Sequence, residues 1–194
     1  MIDRGTCKTM LRESARLMLE HAERLSDIDS RFGDGDHGMN MNKGFTVFED
    51  RFKDEDISFT EGLDELGMIL LNEIGGSMGP IYGTIFMDMA EAGEDLDEIS
   101  AADFAAMLEA GLNGLYGIVD ARVGDKTLVD TLSPAVDVMK KAGETGQDFK
   151  EALAEMNAAA EAGRDSTKDM VAKYGRSSRL GERSRGVLDA GATS

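Results

Sequence analysis

Three aspartates, Asp29, Asp34 and Asp36, stand close together in a stretch that is rich in glycine. The glycines between and after them let the backbone fold tightly around these side chains. Clustered carboxylates repel one another unless a cation lies among them, and oxygen ligands of this kind favour Mg²⁺, Ca²⁺ or Mn²⁺. The EF-hand pattern does not fit, because Arg31 or Gly38 would occupy its fifth ligand position and no glutamate closes the loop. We therefore predict a divalent metal site at the three aspartates.

A purely structural role is the alternative for these carboxylates. They could form a solvated acidic turn in which Asp36 caps the following helix. The run Gly-Asp-Gly-Asp-His-Gly at the start of a predicted helix favours the metal site. His37 within this run suits a helix cap, a group behind the metal ligands or a phosphate contact, and a lone histidine does not separate these roles.

A second glycine-rich turn, at residues 75–80, precedes another predicted helix. Exposed backbone N–H groups and the positive end of a helix dipole make such a turn suitable for an anion. The turn is not a P-loop, because the Gly-Lys-Ser/Thr ending and the preceding strand are missing. Residues 124–127, Gly-Asp-Lys-Thr, resemble a fragment of a P-loop, but the Asp-Lys order breaks that pattern. A simple helix end is the alternative interpretation of the turn at residues 75–80.

Four arginines, at positions 176, 179, 183 and 185, lie in one short segment near the end of the chain. Arginine presents a bidentate fork to phosphate, so this segment is a second candidate for anion binding. The alternative is a flexible, solvated tail that becomes ordered only when something binds it.

The overall charge limits the choice of partners. The chain has 21 basic and 38 acidic residues and a net charge of −17. Such a surface repels nucleic acid and anionic membranes, so we expect neither as a partner. Any phosphate ligand must be neutralised locally by a metal or by a focused basic segment.

The cysteine content and the absence of long apolar runs indicate a cytoplasmic protein. Cys7 is the only cysteine, which excludes an intrachain disulfide and a cysteine-based zinc site. No signal peptide and no run of roughly 18 apolar residues is present.

Apolar residues recur at steps of three and four in seven segments and predict seven helices. These stripes lie at residues 11–25, 41–52, 63–74, 85–89, 104–115, 136–139 and 149–174, and residues 27–38 form a loop between the first two. Ser58 or Thr60 and Ser100 are candidate N-caps, and Pro80 suits a first helical turn. Pro134 must kink its helix or lie in its first turn. Because no sustained period-two alternation occurs, we predict no strand and an all-α bundle forming a single domain over residues 1–194.

Taken together, four separated blocks resemble one family, the ADP-binding L subunit of bacterial dihydroxyacetone kinase. They span nearly the whole chain in the family's order. The blocks are Asp29-x-x-Phe32-Gly33-Asp34-Gly35-Asp36-His37-Gly38-x-Asn40-Met41, Gly75-Gly76-Ser77-Met78-Gly79-Pro80, Gly124-Asp125-Lys126-Thr127, and Gly175-Arg176 through Gly191-Ala192-Thr193-Ser194.

The resemblance implies an antiparallel barrel of eight helices with the nucleotide at one end. In the family, the residues that match 191–194 open the last helix, and this chain stops at Ser194. We therefore expect one apolar wall of the barrel to be missing, with possible homo-oligomer formation through the open side.

The resemblance also assigns site residues. Asp29, Asp34 and Asp36 match the family's ligands for two Mg²⁺ ions that bridge the phosphates of ADP or ATP. The residues that match nucleotide-binding positions are His37, Gly38, Met39, Asn40, Met41, Ser77, Met78, Leu128, Arg176, Asp189, Ala190 and Gly191. No side chain is expected to act as a catalytic nucleophile.

The activity implied is that of a phosphotransferase subunit in a dihydroxyacetone kinase of the phosphoenolpyruvate–glycerone phosphotransferase type. The phosphoryl group would pass to dihydroxyacetone, or a related small ketose, held on a separate K subunit. A phosphoprotein of the sugar phosphotransferase system would recharge the bound ADP. Met78, Arg179 and Ala190 depart from the family's pattern at the nucleotide rim. A regulatory subunit that senses nucleotide without turnover is therefore the alternative.

Overall fold

The computed structural model describes residues 1–94 and 96–194, with only the backbone described for Ile2 and Arg4. Within this part of the chain there are nine α-helices, two 3-10 helices and one pair of two-residue strands. The α-helices are α1 (Arg4–Glu20), α2 (Ala22–Ser30), α3 (Asp36–Phe52), α4 (Phe59–Glu73), α5 (Met78–Ala92), α6 (Ala101–Ile118), α7 (Val129–Thr145), α8 (Phe149–Ser166) and α9 (Ala190–Thr193). The strands are β1 (Ile2–Asp3) and β2 (Glu98–Ile99), and the 3-10 helices span Thr167–Asp169 and Arg176–Ser184. The all-α prediction is confirmed.

The helices pack largely in chain order. Each helix from α3 to α8 contacts the next one, α1 lies on α3 and α4, and α9 contacts α2, α7 and α8. Methionines contribute to the core between them, where their flexible side chains adapt to irregular gaps. Met41, Met107 and Met139 are completely buried there, together with Leu66 and Leu70. None of the described helices is both long enough and apolar enough to cross a membrane.

The first predicted helix is in fact two helices that meet at His21. The backbone at His21 has φ −101° and ψ 5°, which ends α1 and starts α2. Both helices stay against the same core, so the apolar spacing of Leu11, Ala15 and Leu25 continues across the break and conceals it. The predicted loop at residues 27–38 was also too long, because α2 continues to Ser30 and α3 begins at Asp36.

The last predicted helix was likewise too long. It was expected to reach residue 174, but α8 ends at Ser166. The hydroxyl groups of Ser166 and Thr167 both donate hydrogen bonds at 2.6 Å, to the carbonyls of Gly163 and Arg164 respectively. These bonds satisfy carbonyls in the last turn locally, and the chain then forms a 3-10 turn.

The two short strands were not predicted. Ile2 pairs with Ile99 and Asp3 with Glu98 in an antiparallel arrangement. A strand of two residues is too short to produce a readable alternation of apolar and polar positions, so sequence periodicity could not reveal it.

Several helix starts agree with the sequence. Ser58, rather than Thr60, is the N-cap of α4 and forms a reciprocal capping box with Glu61. Ser100 and Asp103 form the same arrangement at the start of α6. Pro80 lies in the first turn of α5, as predicted.

Pro134 lies in the second turn of α7 rather than in its first turn. Because proline has no N–H group, the carbonyl of Asp130 receives no hydrogen bond from position 134. Gly163 of α8 packs against this carbonyl, and a Cβ atom at position 163 would lie 2.0 Å from the Asp130 oxygen. The proline and the glycine together allow α7 and α8 to approach closely at this point.

Candidate functional site

A cavity of about 700 Å³ lies at the end of the bundle where α3, α5 and α7 begin. Its volume is within the range of small-molecule and cofactor sites. Most of the predicted site residues contribute to its wall. Those lining it are Asp29, Asp34, Asp36, His37, Asn40, Ser77, Met78, Leu128, Arg176, Asp189, Ala190 and Gly191.

Three residues of the predicted set lie outside the cavity wall. Gly38 faces α2, where a Cβ atom would lie 1.8 Å from the carbonyl oxygen of Ala22. Met39 points outward and is 60% exposed, whereas Met41 is fully buried in the core. Successive helical residues point about 100° apart, so neighbours of His37 along the sequence need not share its direction.

The three long helices that start at the cavity differ in their caps from α4, α6 and α8. No side chain of the N-cap residue caps α3, α5 or α7. By contrast, Ser58, Ser100 and Asp148 cap α4, α6 and α8. The cavity therefore receives the positive ends of three helix dipoles, and α5 in particular leaves backbone N–H groups for another partner. This arrangement suits an anion.

The acidic loop between α2 and α3 is built around close backbone contacts. The Asp29 carboxylate accepts a hydrogen bond from the backbone N–H of His37 at 3.4 Å. A Cβ atom at position 33 would lie 2.2 Å from an Asp29 carboxylate oxygen, so only glycine leaves room for this side chain. Asp34 accepts a hydrogen bond from the backbone N–H of Asp36 at 3.3 Å.

The three carboxylates line one wall without converging on a single point. Among the described residues, no three acidic, histidine or cysteine side chains are close enough together to surround one ion. Asp34 is turned towards Arg176, with which it forms an ion pair. Asp29 and Asp36 form no ion pair in the part of the chain that the structure describes. The donors are all hard oxygen atoms facing an open cavity, a set that fits Mg²⁺ if Asp34 exchanges Arg176 for the metal.

Two residues that line the cavity, His37 and Tyr82, meet Ser194 from the end of the chain. The His37 Nε2 atom lies 3.1 Å from the Ser194 hydroxyl and 3.5 Å from the Tyr82 hydroxyl. The two hydroxyl groups also contact each other. Burial lowers the pKa of His37 to about 4, although the nearby Asp29 acts in the opposite direction. His37 is therefore a neutral imidazole near pH 7. Burial also raises the pKa of Tyr82.

Tyr82 and Ser194 were not predicted as site residues. Tyr82 lies four residues after Met78 in α5, so both occupy one helix face, and this spacing could have identified it. Ser194 follows Gly191 by three residues, but its meeting with Tyr82 depends on how the last segment folds over the bundle.

Asp189 is the N-cap of the short helix α9 and accepts a hydrogen bond from the backbone N–H of Ala192 at 2.8 Å. Burial raises the pKa of Asp189 to about 6, while the bond from Ala192 and the positive charge of Lys126 act in the opposite direction. A carboxylate of this kind carries a partly uncompensated charge near neutral pH.

This fold and this site define the class of the protein. The chain belongs to the DAK2 domain family, whose pattern matches residues 31–194. The resemblance drawn from the sequence blocks is thus confirmed.

Three relatives of this chain share one description within the family. The chain is similar to the ADP-binding subunit DhaL of the PEP-dependent dihydroxyacetone kinase 1 of Listeria innocua, with 34% identity over 99% of this chain and 91% of that protein. It is 37% identical to the ADP-binding subunit DhaL of the Escherichia coli PEP-dependent enzyme, over 89% of this chain and 83% of that protein. It is 33% identical to the ADP-binding subunit DhaL of the PTS-dependent dihydroxyacetone kinase of Lactococcus lactis, over 90% and 83% of the two chains.

Proposed function

We propose that this chain is the ADP-binding L subunit of a dihydroxyacetone kinase. It would bind ADP or ATP with Mg²⁺ in the cavity and pass the phosphoryl group to dihydroxyacetone, or a related small ketose, on a partner K subunit. The observation that carries this proposal is the cavity itself, because the acidic loop, the starts of three helices and the segment 174–191 all contribute to its wall. The similarity to three ADP-binding subunits supports it.

The phosphates of the nucleotide would lie between the acidic loop and the start of α5. The uncapped N–H groups near Ser77 and Met78 can donate hydrogen bonds to phosphate oxygens. Arg176 reaches the same region from the opposite wall, as its ion pair with Asp34 indicates. Its planar guanidinium group suits a phosphate in the same way that it suits a carboxylate.

Asp29, Asp34 and Asp36 would hold two Mg²⁺ ions. When bound, these ions supply charge neutralisation and polarise the phosphate oxygens. A chain with a net charge of −17 needs such local neutralisation to accept a polyphosphate. Arg176 would then be released from Asp34 and become free to contact the nucleotide.

The remaining side chains act by position. A loose phosphoryl transition state needs alignment and charge stabilisation rather than a protein nucleophile. His37 is neutral near pH 7, so its ring contributes hydrogen bonds instead of positive charge. We assign no side chain of this protein as a catalytic nucleophile, and the acceptor hydroxyl would be activated on the partner K subunit.

The phosphoryl donor we propose is a phosphoprotein of the sugar phosphotransferase system, which would recharge ADP while it remains bound. The support for this step comes from the relatives, two of which are subunits of PEP-dependent enzymes and one of a PTS-dependent enzyme.

Nucleotide binding measured against Mg²⁺ in an Asp34→Asn variant tests the central claim. Isothermal titration with ADP should show a large loss of Mg²⁺-dependent affinity, because the variant lacks one hard anionic ligand. Asp27→Asn is the matched control, since Asp27 is exposed on α2 and lies outside the cavity wall. Retained Mg²⁺-dependent affinity in the Asp34 variant would remove the metal assignment.

Turnover separates the proposed activity from the regulatory alternative. The purified chain is combined with a dihydroxyacetone-binding K subunit and the phosphoryl-donor protein, and dihydroxyacetone phosphate is measured. A protein that binds Mg–ADP but transfers no phosphoryl group in this assay is a nucleotide sensor instead of a kinase subunit.

A further inference from the structure

Lys126 is a buried lysine whose environment is unusual in two respects. Its side chain is almost fully removed from solvent, with 2% of the residue exposed. Its backbone has φ 62°, and it is the only residue other than glycine with a positive φ among the described residues. A lysine in the left-handed region costs backbone energy, so the surrounding contacts must hold it there.

All of the hydrogen-bonding capacity of the Lys126 ammonium is directed at backbone carbonyls. Its Nζ atom lies 2.7 Å from the carbonyl oxygen of Thr167, 2.6 Å from that of Val187 and 3.4 Å from that of Met170. An ammonium group has three protons and no acceptor. No proton therefore remains for a phosphate, although Lys126 borders the cavity and stands in a sequence that resembles a P-loop fragment.

Two aspartates hold the turn that carries Lys126. The buried Asp130 accepts hydrogen bonds from the backbone N–H groups of Gly124 at 2.5 Å and Thr127 at 2.7 Å. Asp125 accepts bonds from the backbone N–H of Arg122 at 2.8 Å and from the Lys173 ammonium at 2.5 Å. The Asp130 bonds thus attach the turn to the start of α7, and the Lys173 bond attaches it to the segment that follows α8.

The three carbonyls belong to one segment, residues 167–191, which we call the cover segment. It carries Arg176 and Asp189 to the cavity wall. Its two ends are also tied to each other, since Gly186 N–H donates to the Lys168 carbonyl at 2.7 Å and Asp189 N–H donates to the Thr167 hydroxyl at 3.0 Å. Lys126 links both ends of the cover segment to α7.

We propose that Lys126 is a positioning residue that anchors the cover segment to the start of α7 and thereby controls how long a nucleotide is retained. The anchoring depends only on the geometry above. The retention of nucleotide rests in addition on the proposed function. Removing the ammonium would take a donor from all three carbonyls, although that of Thr167 keeps the N–H of Met170 at 3.2 Å, and would loosen the cover segment at the cavity rim.

Two substitutions separate the ammonium from the strained backbone. Lys126→Met keeps a long side chain but removes the three donors. Lys126→Gly also removes the donors, and glycine adopts φ 62° without strain, so the turn itself should be preserved. Lys141→Met is the control, because Lys141 is an exposed lysine of α7 that lies outside the cavity wall and, among the described residues, is bonded neither to the cover segment nor to the turn that carries Lys126.

Amide hydrogen exchange of the nucleotide-free protein tests the anchoring. In both Lys126 variants, the amides of Gly186 and Asp189 should exchange at least about tenfold faster, while core amides of α4 to α6 keep their rates. The Lys141 control should resemble the parent protein. If the Gly186 and Asp189 amides keep the parent rates in the variants, Lys126 is not the anchor. If exchange becomes faster in the Met variant but not in the Gly variant, backbone strain at position 126 and not the loss of the ammonium is responsible, and the proposal is overturned.

Release of a fluorescent ADP analogue with Mg²⁺ tests the retention. The dissociation rate should rise at least about tenfold in both Lys126 variants, which corresponds to about 1.4 kcal/mol. If amide exchange becomes faster but the analogue dissociates at the parent rate, Lys126 anchors the cover segment without affecting how long the nucleotide stays bound, and that part of the proposal is overturned. A parent protein that binds no analogue would contradict the proposed function, whereas the amide-exchange result would still decide the anchoring.

Discussion

Replacing Asp189 with asparagine should stabilise the protein near neutral pH but hardly at all in acid. The folded protein holds the pKa of Asp189 at about 6, above the ordinary value of 3.8, mainly because partial burial in the cavity wall desolvates the carboxylate. Between these two values the unfolded chain has released the proton and the folded protein still keeps it. Raising the pH through this window therefore favours the unfolded state. Asparagine carries no charge and avoids this cost.

The magnitude follows from the size of the pKa difference. One pKa unit corresponds to about 1.4 kcal/mol, so the full cost of ionising Asp189 is about 3 kcal/mol. Between about pH 4 and about pH 7.5, about 2 kcal/mol of this cost should develop. Asparagine is also a good N-cap residue, so the hydrogen bond from Ala192 should be retained.

Urea unfolding followed by far-ultraviolet circular dichroism measures this difference at both pH values. His37 also titrates in this range, but it is present in both proteins and largely cancels in the difference. Asp148→Asn is the matched control, because Asp148 caps α8 in the same way with an exposed carboxylate. This control shows what the loss of a capping carboxylate does where the side chain is exposed to solvent. If the free energy of unfolding differs between the Asp189→Asn variant and the parent protein by the same amount at both pH values, the desolvation of this carboxylate is refuted.

Three further substitutions test the packing, the acidic loop and the caps. Gly163→Ala should destabilise the protein by about 3 kcal/mol or more in a thermal melt, because its Cβ would lie 2.0 Å from the Asp130 carbonyl oxygen. Gly33→Ala should leave the melting temperature nearly unchanged but weaken Mg²⁺-dependent ADP binding at least about tenfold, since it displaces the Asp29 carboxylate. Ser100→Ala should cost about 1 kcal/mol in urea unfolding through the loss of a capping box.

For each of these three substitutions, a specific result would contradict the prediction. Gly117→Ala is the control for Gly163→Ala, because no atom lies within 4 Å of its added Cβ and alanine favours a helix. Equal melting temperatures for these two variants would refute the close approach of α7 and α8. Unchanged nucleotide affinity after Gly33→Ala would show that the Asp29 position is not needed. An unaltered unfolding midpoint after Ser100→Ala would mean that water replaces the cap.

Helix positions and the capped starts of α4 and α6 could be predicted from the sequence, but the break at His21 and the end of α8 could not. The apolar spacing continues through His21 because α1 and α2 face the same core, so a break of one residue leaves no trace in the pattern. The end of α8 depends partly on carbonyls that the distant Lys126 binds, and no local propensity contains that information. Ser58 and Ser100 were accessible to prediction because a capping box involves only residues three positions apart.

Some residues of the candidate site could likewise be predicted from the sequence, whereas the direction of others depends on the folded helix. Asp29, Asp34 and Asp36 stand out by residue type and spacing within one loop, and they line the cavity together. Gly38 and Met41 were assigned together with His37 because all three match one nucleotide-binding segment of the family. In α3 they point towards α2 and the core instead, since direction on a helix changes by about 100° per residue.

By itself, the sequence determined the helical class, the acidic loop and the family, since each of these depends on short-range spacing or on residue types in a given order. Only the tertiary structure decided the contacts that complete the site. Lys126 meets Thr167 across 41 positions, and Tyr82 meets Ser194 across 112. Such contacts depend on the path of the whole backbone, because burial and helix packing select which distant groups meet. The lysine that resembled part of a phosphate loop therefore proved to bind backbone carbonyls instead.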